Sequence, residues 1–269
     1  MTAAFLEVEG VTKRFGGIEA LSGCALEVQQ GTISGLIGPN GSGKTTLFNV
    51  ITGYERVREG QVRLAGRPIT NLSPDRIFKR GIGRTFQLTR VFGRLTVMEN
   101  MLVASQHQRS WARSAFRRAG SHGERRRATE LLEFVGIAML ANEPAAVCSY
   151  GQRKLLELAY VLMADPEFLL LDEPAGGINP TLVNVLGERI RELNGQGRTF
   201  LVVEHNMEFV MGLCHSVTVM DHGSMLISGR PDEVRSDPRV LDAYLGGVDE
   251  PDDDEDDEDD EDDDVPVGR

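Results

Sequence analysis

The chain has little with which to cross-link itself and nothing with which to span a membrane. Its 269 residues include three cysteines, Cys24, Cys148 and Cys214, far apart and without a CxxC pair. That spacing argues against a disulfide framework or a thiolate metal site and points to free thiols in a reducing compartment. No apolar run approaches the roughly 18 residues that a bilayer-spanning helix requires. The opening MTAAFLEVEGVTKRF lacks a charged segment leading into an apolar one, so it does not read as a secretory signal. The expectation is a cytosolic protein, or one peripheral to a membrane.

Positive charge is missing from one end. Residues 249–264 hold fifteen acids and no base, which accounts for the net charge of −12. Without residues 249–269, the totals of 29 Lys and Arg and 41 Asp and Glu fall to 28 and 26. A near-neutral body is not built around nucleic acid, and no nucleic-acid partner is expected. The acidic run cannot bury apolar surface. The reading is one domain over 1–247 followed by a disordered acidic tail over 248–269. No internal repeat is present.

What the sequence does have is ordered periodicity. FLEVEGVT and CALEVQQG alternate as half-buried strands, and TISGLIG turns fully apolar, as for a strand buried on both faces. Residues 60–69 read as short strands around a turn, and SPDRIFKRG as a short helix with Ser73 as N-cap and Pro74 at its first position. From about 90 to 165 the pattern is helical. After it, FLLLDEP, TLVNVLGERIRELNG, TFLVVEH, MEFVMGLCH and SVTVMD alternate strand and helix. That alternation marks a parallel sheet wrapped by helices, interrupted by a helical block.

Residues 38–46, GPNGSGKTT, satisfy G-x-x-x-x-G-K-[ST] between a buried strand and a helix. Gly38, Asn40, Gly41, Ser42, Gly43, Lys44, Thr45 and Thr46 form this loop. Its glycines let backbone N–H groups turn onto phosphate oxygens, and the helix that follows adds its positive end. Lys44 supplies charge to the β and γ phosphates, and the Thr45 hydroxyl is placed for Mg²⁺. FLLLDEP sets Asp172 at a strand's C-terminal end, where its carboxylate would hold the same Mg²⁺ through water, with Glu173 as a general base for water. These residues read as a site for the β and γ phosphates of a nucleotide with Mg²⁺; a resemblance carried by further motifs implies that the nucleotide is ATP.

Further stretches resemble the nucleotide-binding subunits of ABC transporters. CSYGQRK is similar to the LSGGQ signature through Ser149, Gly151 and Gln152, with Cys148 and Tyr150 departing from it. RTFQ, ending at Gln87, resembles the Q-loop, VVEHN places His205 like an H-loop histidine, and Phe15 in KRFGG stands where the family stacks adenine. The resemblance covers about residues 5–247. Within the family, GRTFQ, SYGQ, EPAGGINP, EHNMEFVM and DPRVLDAYLGG resemble the ATPases of branched-chain (hydrophobic) amino acid importers.

The resemblance implies a P-loop NTPase (RecA-like) α/β core, an antiparallel β subdomain and an inserted α-helical subdomain. It implies two subunits closing head to tail over two ATP molecules, with Ser149 and the Gly151 N–H meeting a γ-phosphate held by the partner. Gln87 would touch Mg²⁺ and the attacking water, and His205 the γ-phosphate, with Glu173 as base. Implied partners are membrane permease subunits, a second ATPase subunit, for which the subfamily favours a different chain and a second copy of this one stays open, and indirectly a solute-binding protein. The implied location is the cytoplasmic face of the plasma membrane. An exporter or lipid-extraction ATPase is disfavoured by the tyrosine-bearing signature and RTFQ. A soluble ABC factor would need two fused copies or a long coiled coil, for which the chain has no room.

Tyr150 is open between keeping the signature's backbone geometry and contacting a partner. His107, His122, His215 and His222 carry no motif and read as surface or loop residues. Arg109, Arg113 and Arg117 repeat at helical spacing; a solvated face and a patch for lipid headgroups or the acidic tail both fit.

Overall fold

Alternating residues at the start of the chain build a long hairpin in the computed structural model, which describes residues 4–86, 91–106 and 122–245. Strands β1 (Ala4–Phe15) and β2 (Ile18–Gln29) pair antiparallel, extending further than the expected segments. With β4 (Glu59–Leu64) and β5 (Arg67–Pro68) they form a four-stranded sheet in the order β2-β1-β4-β5. Ala65 and Gly66 join the last two at φ of 47° and 70°, the positive angles a tight hairpin needs.

The second sheet takes β3 (Ile33–Ile37), β6 (Ile82–Arg84), β7 (Phe168–Asp172), β8 (Thr199–Val203), β9 (Ser216–Asp221) and β10 (Ser224–Gly229). Their order is β10-β9-β3-β8-β7-β6, parallel except for β10. Every residue of β3, β7 and β8 is buried. Successive side chains point to opposite faces, so each strand feeds two cores. Leu169, Leu171, Phe200 and Val202 join the core beneath the helices. Phe168, Leu170, Leu201 and Val203 join the core shared with the antiparallel sheet and α1 (Lys44–Ile51).

The connection between neighbouring β6 and β7 carries the helical block: α3 (Val97–Gln106), α4 (His122–Phe134) and α5 (Tyr150–Leu162). Thr96 and Glu99 start α3 as a reciprocal cap, Thr96 N–H donating to Glu99 and Glu99 N–H to the Thr96 hydroxyl. The remaining helices are α2 (Pro74–Phe78), α6 (Pro180–Gly195), α7 (Met207–Leu213), α8 (Pro231–Arg235) and α9 (Pro238–Leu245). Among the described residues no helix is long and apolar enough to cross a membrane.

Two local differences from the sequence reading, at Ser73 and at β6, have physical reasons, and one residue read correctly as surface has an added role. Ser73 occupies the N-cap position of α2, but its side chain makes no capping bond; Pro74 alone pre-sets the first turn. His215, read as a surface or loop residue, is exposed, yet its Nδ1 accepts the Ile33 N–H at 3.0 Å and closes the start of β3. β6 escaped notice because three residues are too few for a period to appear. The Arg109–Arg117 run, His107 and the acidic tail lie outside the described residues.

Candidate functional site

Parallel register brings three chain segments to one edge of the sheet. Leu36 of β3 stands opposite Val203 of β8, and Val203 opposite Asp172 of β7. The loop from Gly38, the Glu204–Asn206 segment and Asp172–Glu173 therefore leave the sheet side by side, where open α/β sheets bind ligands.

The first segment curls tightly. Gly38 and Gly43 have φ of 149° and 102°. A Cβ at Gly38 would lie 2.1 Å from the Met220 carbonyl, and one at Gly43 2.5 Å from that of Ala20. No larger residue fits either place. Lys44 Nζ donates to the carbonyls of Gly38 and Pro39, both at 2.8 Å. Burial pushes its pKa down, while Glu173 and Asp172 pull it back up. Asn40, Gly41, Gly43, Lys44, Thr45, Thr46 and Glu173, with Ala20, line an open pocket of about 300 Å³. Buried Ser42 supports the loop through its carbonyl, which accepts the Gly223 N–H at 3.0 Å.

Asp172 is buried, and the sequence reading missed its partner. Arg84 donates to Asp172 Oδ2 at 3.0 Å, to Asn49 Oδ1 at 2.8 Å and to the Thr52 hydroxyl at 2.8 Å. Its guanidinium also faces the rings of Phe86, Phe48 and Tyr54 at 4.9, 5.5 and 5.8 Å. Glu173 follows at φ 47°, a left-handed angle unusual for a side-chain-bearing residue. Its Oε2 lies 3.9 Å from His205 Nδ1, so these two candidates are neighbours.

Glu204, also unremarked in the sequence, is fully buried behind them. Its carboxylate accepts the N–H groups of Ala175 at 2.6 Å, His205 at 3.2 Å and Asn206 at 3.4 Å. Burial pushes its pKa up, opposed by those donors. One carboxylate thus fixes where both the loop after Glu173 and the loop carrying His205 begin. The signal was present: an acid closing an apolar strand has few partners except local backbone.

Ser149 caps α5. Its hydroxyl accepts the Gln152 N–H at 3.2 Å, and Gln152 Oε1 accepts the Ser149 N–H at 2.8 Å. Gln152 thereby serves its own helix as a reciprocal cap. Gly151 is buried, and a Cβ there would meet Leu182 Cδ1 at 2.4 Å. Tyr150 leans on Gly177, where a Cβ would meet the ring at 3.1 Å, so the departure from the signature faces this chain's own loop. Ser149 and Gly151 are not among the residues lining the phosphate-loop pocket. Phe15 is 45% exposed at the hairpin end, with Lys13 Nζ 4.8 Å from its ring centre. Gln87 lies outside the described residues; the N–H of its neighbour Phe86 donates to Glu157 at 2.9 Å.

Among the described residues no cluster of three or more His, Cys, Asp or Glu could hold a metal by itself. The hydroxyl of Thr45 and the carboxylate of Asp172 are hard oxygen donors. Such a sparse set suits Mg²⁺, which keeps water and substrate phosphate in its shell.

A glycine-cradled loop, a lysine in its pocket and an Asp-Glu pair beside it define a P-loop nucleotide-binding ATPase. A family model described as ABC transporter matches residues 21–176, and the chain belongs to that family. A second, described as branched-chain amino acid ATP-binding cassette transporter, matches residues 228–250. Over 254 residues the chain is 41% identical to the high-affinity branched-chain amino acid transport ATP-binding protein LivG of Salmonella typhimurium, covering 91% of this chain and 99% of that one. It is 39% identical to BraF of Pseudomonas aeruginosa, a protein of the same description, with the same coverage. A crystal structure of the ADP conformation of an ATP-binding cassette of an ABC transporter matches with a TM-score of 0.82 at 36% identity, covering 91% of this chain and 100% of that one.

Proposed function

We propose that this chain is the ATP-hydrolysing subunit of an importer for branched-chain amino acids or a related small solute, acting through ATP-driven dimer closure. The observation that carries the reading is the pocket that Lys44, Thr45 and Glu173 share, in a chain 41% identical to a branched-chain amino acid transport ATP-binding protein. In this reading the signature that opens α5 serves a nucleotide on another subunit. A cassette 25% identical to this chain has a dimeric structure, with a TM-score of 0.74.

In this reading the phosphate loop's N–H groups and Lys44 bind the triphosphate, and Phe15 stacks the adenine. Thr45, Asp172 and Gln87 would hold Mg²⁺, which when bound offsets phosphate charge. Glu173 takes the proton of the attacking water, and His205 orients that water with it. Gln152 holds Ser149 in place for the partner's γ-phosphate.

Separate permease subunits carry the solute and hold the chain at the cytoplasmic face of the membrane. Beside Phe86 opens a cavity of about 370 Å³, lined by Tyr54, Phe78, Arg84, Ala104 and Tyr160 among others, to which we assign the permease contact. The second ATPase position belongs to a different subunit of the same kind, and a solute-binding protein acts upstream. A Glu173→Gln variant should form an ATP-dependent dimer, alone or with its partner subunit, visible by size-exclusion chromatography. A variant that binds ATP yet stays monomeric in both settings would refute the shared site.

A further inference from the structure

We propose that Lys154 is a positioning residue for ATP hydrolysis, holding the backbone of Glu173 from the signature helix; this rests on the reading of Glu173 as the base. Among the described residues, three hydrogen bonds hold the backbone of the left-handed Glu173. Its N–H donates to the Val203 carbonyl at 2.9 Å. Its carbonyl accepts the Gly176 N–H at 3.2 Å and Lys154 Nζ at 3.2 Å. A left-handed φ of 47° at a glutamate outside a tight hairpin costs free energy that the contacts around it offset. Two of the three contacts come from neighbouring loop or strand backbone. The third, from Lys154, reaches in from a helix that begins more than twenty residues earlier in the chain, with nineteen positions between donor and acceptor.

Lys154 is built into this place. It is 6% exposed on the first turns of α5. Its ammonium stands 5.8 Å from the centre of the Tyr150 ring, the same ring that leans on Gly177. Glu157 on its own helix, Glu204 after β8, and Asp172 and Glu173 at the end of β7 all favour its charged form, against the burial that pushes its pKa down. Lys44 and Arg84 face the same carboxylates from the phosphate loop and from β6. A methionine could fill the volume of this side chain; it could not donate to the Glu173 carbonyl.

The arrangement links two sites. Ser149 and Gly151 open the helix that bears Lys154, and they serve the partner's nucleotide. Glu173 serves this chain's own. Tyr150, in the place of a signature glycine, is the platform between Lys154 and the loop after Glu173.

The test compares wild type, Lys154→Met and Lys154→Arg, each with the partner ATPase subunit. Lys154→Met should lower kcat by about ten-fold or more, equivalent to about 1.4 kcal/mol of barrier, without changing the affinity for ATP. It should also accumulate the ATP-bound dimer, as Glu173→Gln does, whereas a merely unstable variant would lose it. Lys154→Arg should recover most of the rate. An unchanged kcat, a matching loss of ATP affinity, or loss of the dimer would overturn the proposal. If Lys154→Met does not fold, Lys154→Ala is read against the same three outcomes, and Tyr150→Gly, which removes the platform alone, should lower kcat in the same direction. A wild-type chain that binds ATP but never hydrolyses it counts against the function itself; a fully active Lys154→Met counts against this inference alone.

Discussion

Replacing Arg84 by methionine should destabilise the fold far more than an average substitution. The guanidinium and the Asp172 carboxylate are 7% and 6% exposed, and they meet at 3.0 Å. Methionine retains much of the aliphatic volume beside Phe48 and Phe86, so the cavity contribution is small. The main loss is electrostatic: a buried carboxylate loses the cation in contact with it and keeps only the longer-range charges of Lys44 and Lys154, which costs about 3–5 kcal/mol. The acceptors Asn49 Oδ1 and Thr52 Oγ lose their 2.8 Å donor as well. At about 2–4 °C per kcal/mol for a chain of this size, Tm should fall by roughly 6–20 °C. Urea denaturation of R84M, D172N and the double variant gives the coupling directly. Neutralising Asp172 removes the stranded charge, so R84M in the D172N background should cost about 2 kcal/mol less than in the wild type. If R84M costs under about 1 kcal/mol, or costs the same in both backgrounds, the buried pair is not what holds this corner.

Two other outcomes are expected. Phe15→Ala should weaken ATP binding by about 5- to 150-fold with kcat preserved, because base–aromatic stacking is worth about 1–3 kcal/mol; a titration with a fluorescent ATP analogue measures it, and unchanged affinity would remove Phe15 from the site. The thiols Cys24 and Cys214 are buried, which pushes their pKa values up to about 11 and about 12. A folded pKa above the unfolded value gives stability that is complete below the unfolded value near 9 and is lost as pH rises through 11 to 12. Native protein at pH 8 should therefore resist a disulfide reagent, and urea-unfolded protein should react at Cys24, Cys148 and Cys214. Rapid native labelling of Cys24 or Cys214 would contradict their burial.

The phosphate loop was legible because its chemistry is contiguous: one lysine and the glycines that bend around it fall within nine residues. Asp172 and Glu173 were legible because four apolar residues announce the strand that presents them. Arg84, Lys154 and Glu204 were not. Arg84 meets Asp172 across 88 positions, Lys154 meets Glu173 across 19 and Glu204 meets Ala175 across 29, and no local period encodes those meetings. Tyr150 could be read as a subgroup mark, but its contact with Gly177 became visible only in the fold. Short elements were hidden for the simpler reason that β6 and α8 contain three and five residues.

The three strands buried on both faces also decide how the protein comes apart. Because Leu169 and Leu171 of β7 face one core and Phe168 and Leu170 the other, neither core can open without exposing half of a strand that the other still holds. Loosening of the helical block or of the hairpin sheet must then stop at β3, β7 and β8, whose amides should be the last to exchange with deuterium. The phosphate loop, Glu173 and His205 follow the ends of those strands. They can move with each turnover while the strands beneath them keep one register.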